Sequence, residues 1–119
     1  MAASTDAASY AAGQQPVFTL KVTNTGTAAC QVNVGTSQQE FSVLSGQDRI
    51  FDSRDCQQNP QDKTLSLAAG ASETANFVWQ RNRTEPGCAP VTAVPGPGSY
   101  TLTVSLGARI SAKHSFELK

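Results

Sequence analysis

Few residues in this chain have the types and spacing to do chemistry. Cysteine occurs three times, at Cys30, Cys56 and Cys88, and histidine once, at His114. A nucleophilic cysteine needs a base within reach and an exposed, electropositive setting. Cys30 instead alternates with Val32 and Val34, as a small buried hydrophobe in a strand would. A zinc site needs closely spaced thiolate or imidazole pairs, and no Cys-x-x-Cys is present. Asp48, Asp52, Asp55 and Asp62 lack the Asp-x-Asp-x-Asp-Gly spacing and terminal Glu of a calcium loop, so they read as turn and loop residues. "PGPG" at 95–98 is a rigid turn, not a phosphate cradle. His114 falls on an inward row with Phe116 and Leu118, where a packed histidine is expected rather than a catalyst. No catalytic residue, metal or cofactor is therefore expected.

Chemistry of another kind is expected from the cysteines. Cys56 and Cys88 lie one in each of two long loops, "DSRDCQQNPQDK" at 52–63 and "QRNRTEPGCAPVTAVPGPG" at 80–98. Their pairing is the most economical one and leaves Cys30 as a buried free thiol; a bond from Cys30 to one loop cysteine is the alternative. Closing a loop of that size would stabilise the fold by roughly 3.7 kcal/mol in the chain-entropy picture. It also implies an oxidising, extracytoplasmic compartment.

The elements that must hold these loops follow from a period of 2 that runs through the chain after residue 15. Phe18, Leu20 and Val22 alternate with Thr19, Lys21 and Thr23, and "NTGT" at 24–27 turns the chain into a second run with Cys30, Val32 and Val34 on one face. Further runs lie at Phe41–Val43, Ile50–Phe51, "TLSL" at 64–67 and 74–79, where Ala75, Phe77 and Trp79 share a face. Tyr100, Leu102, Val104 and Leu106 form the cleanest inward row. After a turn at Gly107-Ala108, the last run puts Ile110, Ala112, His114, Phe116 and Leu118 together, and this strand is a plausible free edge. No capped helical pattern interrupts these runs. The expectation is an all-β chain, an Ig-like antiparallel β-sandwich of seven to eight strands over residues 16–119. Residues 1–15, Ala/Ser/Gln-rich with Tyr10 as the only large ring, read as a flexible linker, with a fraying helical turn at Ala7–Ala12 as the alternative.

Bulk properties narrow the function. At 119 residues the chain holds one core. Nine basic and nine acidic residues give zero formal charge, which argues against a nucleic-acid binder or a polybasic membrane patch. No apolar run of about 18 residues occurs, and "MAASTDAASYAAGQQ" has no secretory-leader pattern. Contact with a membrane is thus expected only through an upstream anchor.

Three stretches resemble known families. "FTLKVTNTG", "LSLAAGASETANFVW" and "PGPGSYTLTVSLG" resemble the strand and turn segments of bacterial extracytoplasmic Ig-like modules. Their order is similar to that of the small Ig-like intracellular proteinase inhibitors of bacilli, with "SGQDRIFDSRDC" in the slot of an "sG…D…W" segment and Phe51 at its aromatic. The cysteines and the phrase "SRDC … RNRTEPGC" resemble actinobacterial membrane-anchored envelope proteins. The resemblance covers about residues 16–118. It implies a monomeric, non-catalytic extracytoplasmic binding or scaffolding module of the cell envelope with a protein partner. The alternative is a proteinase inhibitor acting through the stapled 80–98 loop.

For a partner-binding site, the sequence favours that loop and its approach. Trp79 has two readings, as core and as an aromatic anchor at the strand end beside Arg81 and Arg83. Pro86 and Pro90 stiffen the loop around Cys88. The competing surface is the C-terminal edge, Arg109 to Leu118.

Overall fold

A computed structural model describes residues 1–119. The chain is all-β apart from a single turn of 3-10 helix at Pro86–Cys88, and its strands lie in two facing sheets and a side ribbon. β1 (Ala2–Thr5), β3 (Val17–Thr23) and β8 (Ser72–Val78) form the first sheet, in the order β1-β3-β8. The second sheet has the order β2-β11-β9-β5-β6. It comprises β2 (Ser9–Tyr10), β11 (His114–Leu118), β9 (Gly98–Leu106), β5 (Gln39–Ser45) and β6 (Asp48–Asp52). A short β10 (Arg109–Ile110) folds back on β9. β4 (Cys30–Asn33) and β7 (Thr64–Leu67) pair only with each other. Apart from β1, β2 and β10, six strands lie in the two facing sheets and two in the ribbon, and together they make the expected all-β sandwich. No helix is long and apolar enough to cross a membrane.

The alternation in the sequence becomes the core. Phe18, Leu20 and Val22 of β3 face Phe41 and Val43 of β5 and Tyr100, Leu102, Val104 and Leu106 of β9, all buried. At one end the rings gather around Trp79, which has no exposed surface. Its centroid lies 5.7 Å from Phe18, 5.9 Å from Phe51, 6.2 Å from Tyr100 and 6.1 Å from Phe116. These are the offset and edge-on separations that aromatic pairs favour.

Four expectations are corrected. First, residues 1–15 are not a linker: β1 pairs with β3 and β2 pairs in parallel with β11. The segment crosses from one sheet to the other. The reason is that edge pairing needs main-chain groups rather than apolar side chains, and the one ring present is used. Tyr10 is 3% exposed and packs edge-on to Phe116. Its hydroxyl donates to Asp6 at 2.5 Å, and Asp6 also accepts from the Val17 N–H. The Tyr10 hydroxyl bond, then that from Val17, holds the Asp6 carboxyl below its ordinary value. Second, the last strand is therefore not a free edge, because β2 covers β11. It is also interrupted. Ser111 is buried, its N–H donates to Val104 O and its hydroxyl accepts from Val104 N–H, so Ile110 and Ala112 leave the inward row and lie exposed. Third, the turn at 24–27 does not pair the two runs it joins, since β3 pairs with β8 and β4 with β7. The Asn24 amide donates to Ala28 O and Leu67 O, both at 2.9 Å, and directs the chain onto β7. Fourth, Cys30 is exposed, because it begins β4 at the end of the ribbon, where Val32 and Val34 but not residue 30 reach the core.

Cys56 and Cys88 form the disulfide, with Cα atoms 4.7 Å apart and a sequence separation of 32. Its presence indicates an oxidising, extracytoplasmic compartment.

Two measurements follow. Tyr10→Ala removes a buried ring and the partner of Asp6, so it should cost about 3 kcal/mol by denaturant unfolding; an unchanged midpoint would mean that the first ten residues do not dock. A thiol reagent should label the native protein once and quickly, at Cys30. Slow labelling that speeds up only on denaturation would restore a buried Cys30.

Candidate functional site

The first sheet ends at β8, and nothing pairs with its far side. A strand adjacent in sequence would ordinarily fill that place. β7 does not, because after the turn at Ala68–Ala71 the two strands diverge and β7 joins β4. A groove is left along β8. Its larger part has a volume of about 540 Å³ and lies beside Phe77, Val78 and Gln80, with Phe41 and Phe51 at its base. A second part of about 300 Å³ lies beside Glu73, Thr74 and Ala75, over Leu20 and Val22. Thr36, Gln39 and Gln61 line both parts, so the two adjoin along β8.

The wall opposite β8 is a loop fixed by hydrogen bonds. Val34 N–H donates to Lys63 O at 2.8 Å and Ser37 N–H to Gln61 O at 3.0 Å. The Asn33 side chain accepts from Gly35 N–H at 3.1 Å and Lys63 N–H at 3.0 Å and donates to Asp62 at 3.1 Å. The Ser37 hydroxyl also donates to Asp62, and these bonds, Ser37's first, hold that carboxyl below its ordinary value. Gln57 and Gln61 bond to the main chain and hydroxyl of Thr36. Gly35 permits this approach: a Cβ there would lie 2.6 Å from Lys63 N. The disulfide then ties this wall, through Cys56, to the loop after β8.

Beneath the groove sits a charged cluster. Arg49 donates to both Asp55 oxygens at 2.7 and 3.0 Å, and Thr84 donates to Asp55 at 2.6 Å. Burial pushes the Asp55 carboxyl up, but the bonds from Arg49 and then Thr84 outweigh it and leave it lowered. Asp52, 4% exposed, accepts from Arg54 N–H and lies 3.5 Å from Arg49. Glu40 shares a hydrogen bond with Asp52. That bond first, then burial and the Asp52 charge, push Glu40 up to about 7, against weaker opposition from Arg54 and Arg49. Two carboxyls sharing a proton can serve as an acid–base pair. Here Asp52 and Asp55 are engaged by arginines and Thr84, and the cluster braces the base of the wall. His114 Nε2 is bonded to Thr5 Oγ1 at 3.0 Å. No group of three or more His, Cys, Asp or Glu side chains is placed to hold a metal ion.

The residues expected to bind a partner are dispersed. Trp79 is core, and its indole N–H donates to Asn82 O at 3.1 Å, so it offers no contact surface. Arg81 points back to the first segment and donates to Ala11 O at 2.7 Å and Gln14 O at 3.2 Å. Arg83 pairs with Asp48 at 3.4 Å on β6. Pro86 and Pro90 are exposed on the loop. Sequence reasoning missed Gln39, Gln57, Gln61 and Val78. The signals available were the amide-rich 52–63 loop and a valine on the polar side of the β8 pattern; Val78 is 51% exposed.

No family model matches the chain, and no curated protein matches it. Solved structures do resemble it. A β-glucosidase from Erythrobacter marinus has a TM-score of 0.56 at 13% identity, over 100% of this chain and 15% of that one. An alkylpurine DNA glycosylase of Pseudomonas fluorescens, bound to DNA containing an abasic site analogue, gives 0.54 at 16% identity, over 97% of this chain and 28% of that one. A β-glucosidase from Listeria innocua in complex with isofagomine gives 0.51 at 12% identity, over 98% and 16%. The likeness is one of fold. The chain spans only 15% to 28% of the length of these proteins.

Glu40 yields a pH dependence. Its carboxyl titrates near 4.5 when unfolded and at about 7 when folded, so the folded state holds the extra proton between these values. Stability is then highest below the lower value and falls as pH rises through the upper one. The melting temperature should drop between pH 5 and 8, and Glu40→Gln should flatten that slope and melt higher at pH 8. A slope unchanged in Glu40→Gln would remove the shared proton from this site.

Proposed function

We propose that this chain is a non-catalytic extracytoplasmic binding module of a membrane-anchored cell-envelope protein, and that it binds a protein partner in the groove beside β8. The observation that supports this reading most is the groove itself. It is large enough for several side chains, has an apolar base and stands next to the exposed Val78. Ligand sites are typically concave, apolar and bordered by a few polar groups, and this one is bordered by glutamines. Its wall is braced by hydrogen bonds and a disulfide, which reduces the ordering that binding would otherwise require. The disulfide supports the compartment; the anchor and the envelope partner are inferred with it.

A second reading, proteinase inhibition through the 80–98 loop, is supported by the exposed, irregular stretch beyond Cys88, where Val94 is 74% exposed. One experiment separates the two. A benzophenone amino acid is placed singly at positions 78, 94 and 110 and irradiated with envelope extract. The binding-groove reading expects a discrete adduct at 78 alone, suppressed by excess unlabelled wild-type protein but not by Val78→Asp. An adduct confined to 94 would transfer the function to the loop. None at any position, or equal adducts at all three, would overturn the reading.

A further inference from the structure

The geometry points to strand addition: an uncharged, extended polypeptide segment binds the groove by pairing its main chain with the free edge of β8. This rests on the reading of the groove as a protein-binding site and names what the partner presents to it.

The ladder fixes which peptide groups are free. Trp79 N–H donates to Pro16 O at 2.9 Å, and Asn24 N–H to Ala71 O at 2.9 Å. In an antiparallel pair bonded positions alternate. With Phe18 opposite Phe77 and Leu20 opposite Ala75, the odd-numbered residues of β8 therefore bond to β3. Ser72, Thr74, Asn76 and Val78 turn their N–H and C=O groups the other way. No main-chain bond is made to them from that side. Thr74 and Val78 themselves line the groove, so these unpaired groups open into it. Main-chain groups repeating every second residue match another strand, in which they repeat at the same spacing.

The surroundings select the kind of strand. The base is apolar, from Leu20 and Val22 at one end to Phe41 and Phe51 at the other, and can take alternate side chains of an added strand. The opposite wall carries Gln39, Gln57 and Gln61; each gives one amide N–H to a wall carbonyl, of Val34, Thr36 and Asn59, and keeps its carbonyl and second N–H for the second edge of the occupant, without favouring either charge. At the 300 Å³ end Lys63 and Glu73 offset each other. Asp52 lines the larger part, but it is 4% exposed and its carboxylate is taken up by Arg54 N–H and Arg49, so a charged segment finds no free complement.

A saccharide would also suit amide walls, but it stacks on exposed ring faces. Phe41 is 1% and Phe51 5% exposed, and the half-buried Phe77 packs its ring against both, at 5.4 and 5.6 Å, so no open ring face is offered. A second copy of this chain would have to bring its own walled β8 edge into the same slot.

The test uses the full chain with its disulfide intact. Random dodecapeptides displayed on phage are selected on it, and enriched peptides are synthesised. Uncharged sequences with alternating apolar residues should emerge, and binding them should slow amide exchange at Thr74, Asn76 and Val78. Thr74→Pro with Asn76→Pro deletes two outward N–H groups and leaves the bonds to β3 in place, as proline at a free edge allows. Affinity should fall about thirtyfold, since two bonds are lost and each is worth roughly 1 kcal/mol. Exchange protection is read on the wild type, so the result does not depend on the proline variant folding well. If peptides bind in a manner lost in Val78→Asp, but without protecting those amides and with undiminished affinity for the proline variant, strand addition is wrong and the groove reading stands. If no peptide is enriched, strand addition is wrong, and cross-linking at position 78 judges the broader reading separately. A wild-type dimer by sedimentation, dissociated by the two prolines, would assign the edge to a second copy and also overturn the proposal.

Discussion

Burial of the Trp79 ring between the two sheets is the constraint on which the rest of the molecule depends. The indole has no exposed surface and touches rings from β3, β6, β9 and β11. Truncating a ring of that size in a packed core typically costs about 3–5 kcal/mol, a large part of the stability of a domain this small. Its position also sets the path of the chain. The main chain of Trp79 closes the β3–β8 ladder on Pro16, and its indole N–H holds Asn82 O, so the loop after β8 leaves in a fixed direction. Thr84 is thereby placed over β6, where its N–H donates to Ile50 O at 3.1 Å and its hydroxyl meets Asp55. That in turn brings Cys88 to Cys56.

The same ring cluster explains why the first ten residues dock. Phe116 contacts Tyr10, Phe18, Trp79 and Tyr100, so Tyr10 completes a core rather than covering one already closed. Arg81, one residue past the Gln80 that follows Trp79, then fastens Ala11 and Gln14 from outside. Its φ of 56° lies in the left-handed region that disfavours a side chain. The guanidinium bonds to two main-chain carbonyls are the compensation the structure provides.

What the sequence made legible was local. Alternation placed β3, β5, β8 and β9, because a period of 2 is a direct consequence of strand geometry, and the long loops around Cys56 and Cys88 pointed to one bridge. What it hid was non-local. The sequence 2–5 carries no apolar alternation, since β1 attaches through main-chain bonds to β3. Cys30 shares its pattern with Val32 and Val34, but a pattern states a face, not whether an opposite layer reaches that far. The arginines beside Trp79 looked like a contact surface because their partners, the Ala11 carbonyl and Asp48, are distant in sequence. The groove was the hardest to foresee. It exists because β7 pairs with β4 instead of β8, and both pairings satisfy the same hydrophobic pattern.

A seven-residue strand with one edge unpaired is ordinarily a hazard, because it can template the edge of any other sheet. Two features restrain β8. Thr74 and Asn76 place polar side chains on its solvent face, with Thr19 donating to Asn76 at 2.8 Å to hold the amide against the sheet. The 57–63 wall bounds the slot on its far side, and Gly35, Asn33 and the disulfide keep that wall from drifting. A flat edge would accept many partners. An edge at the bottom of a braced slot accepts only a segment thin enough to enter alone. Such a segment must arrive extended and free of its own sheet, so the rigidity that protects this edge from aggregation is the same property that would make it selective.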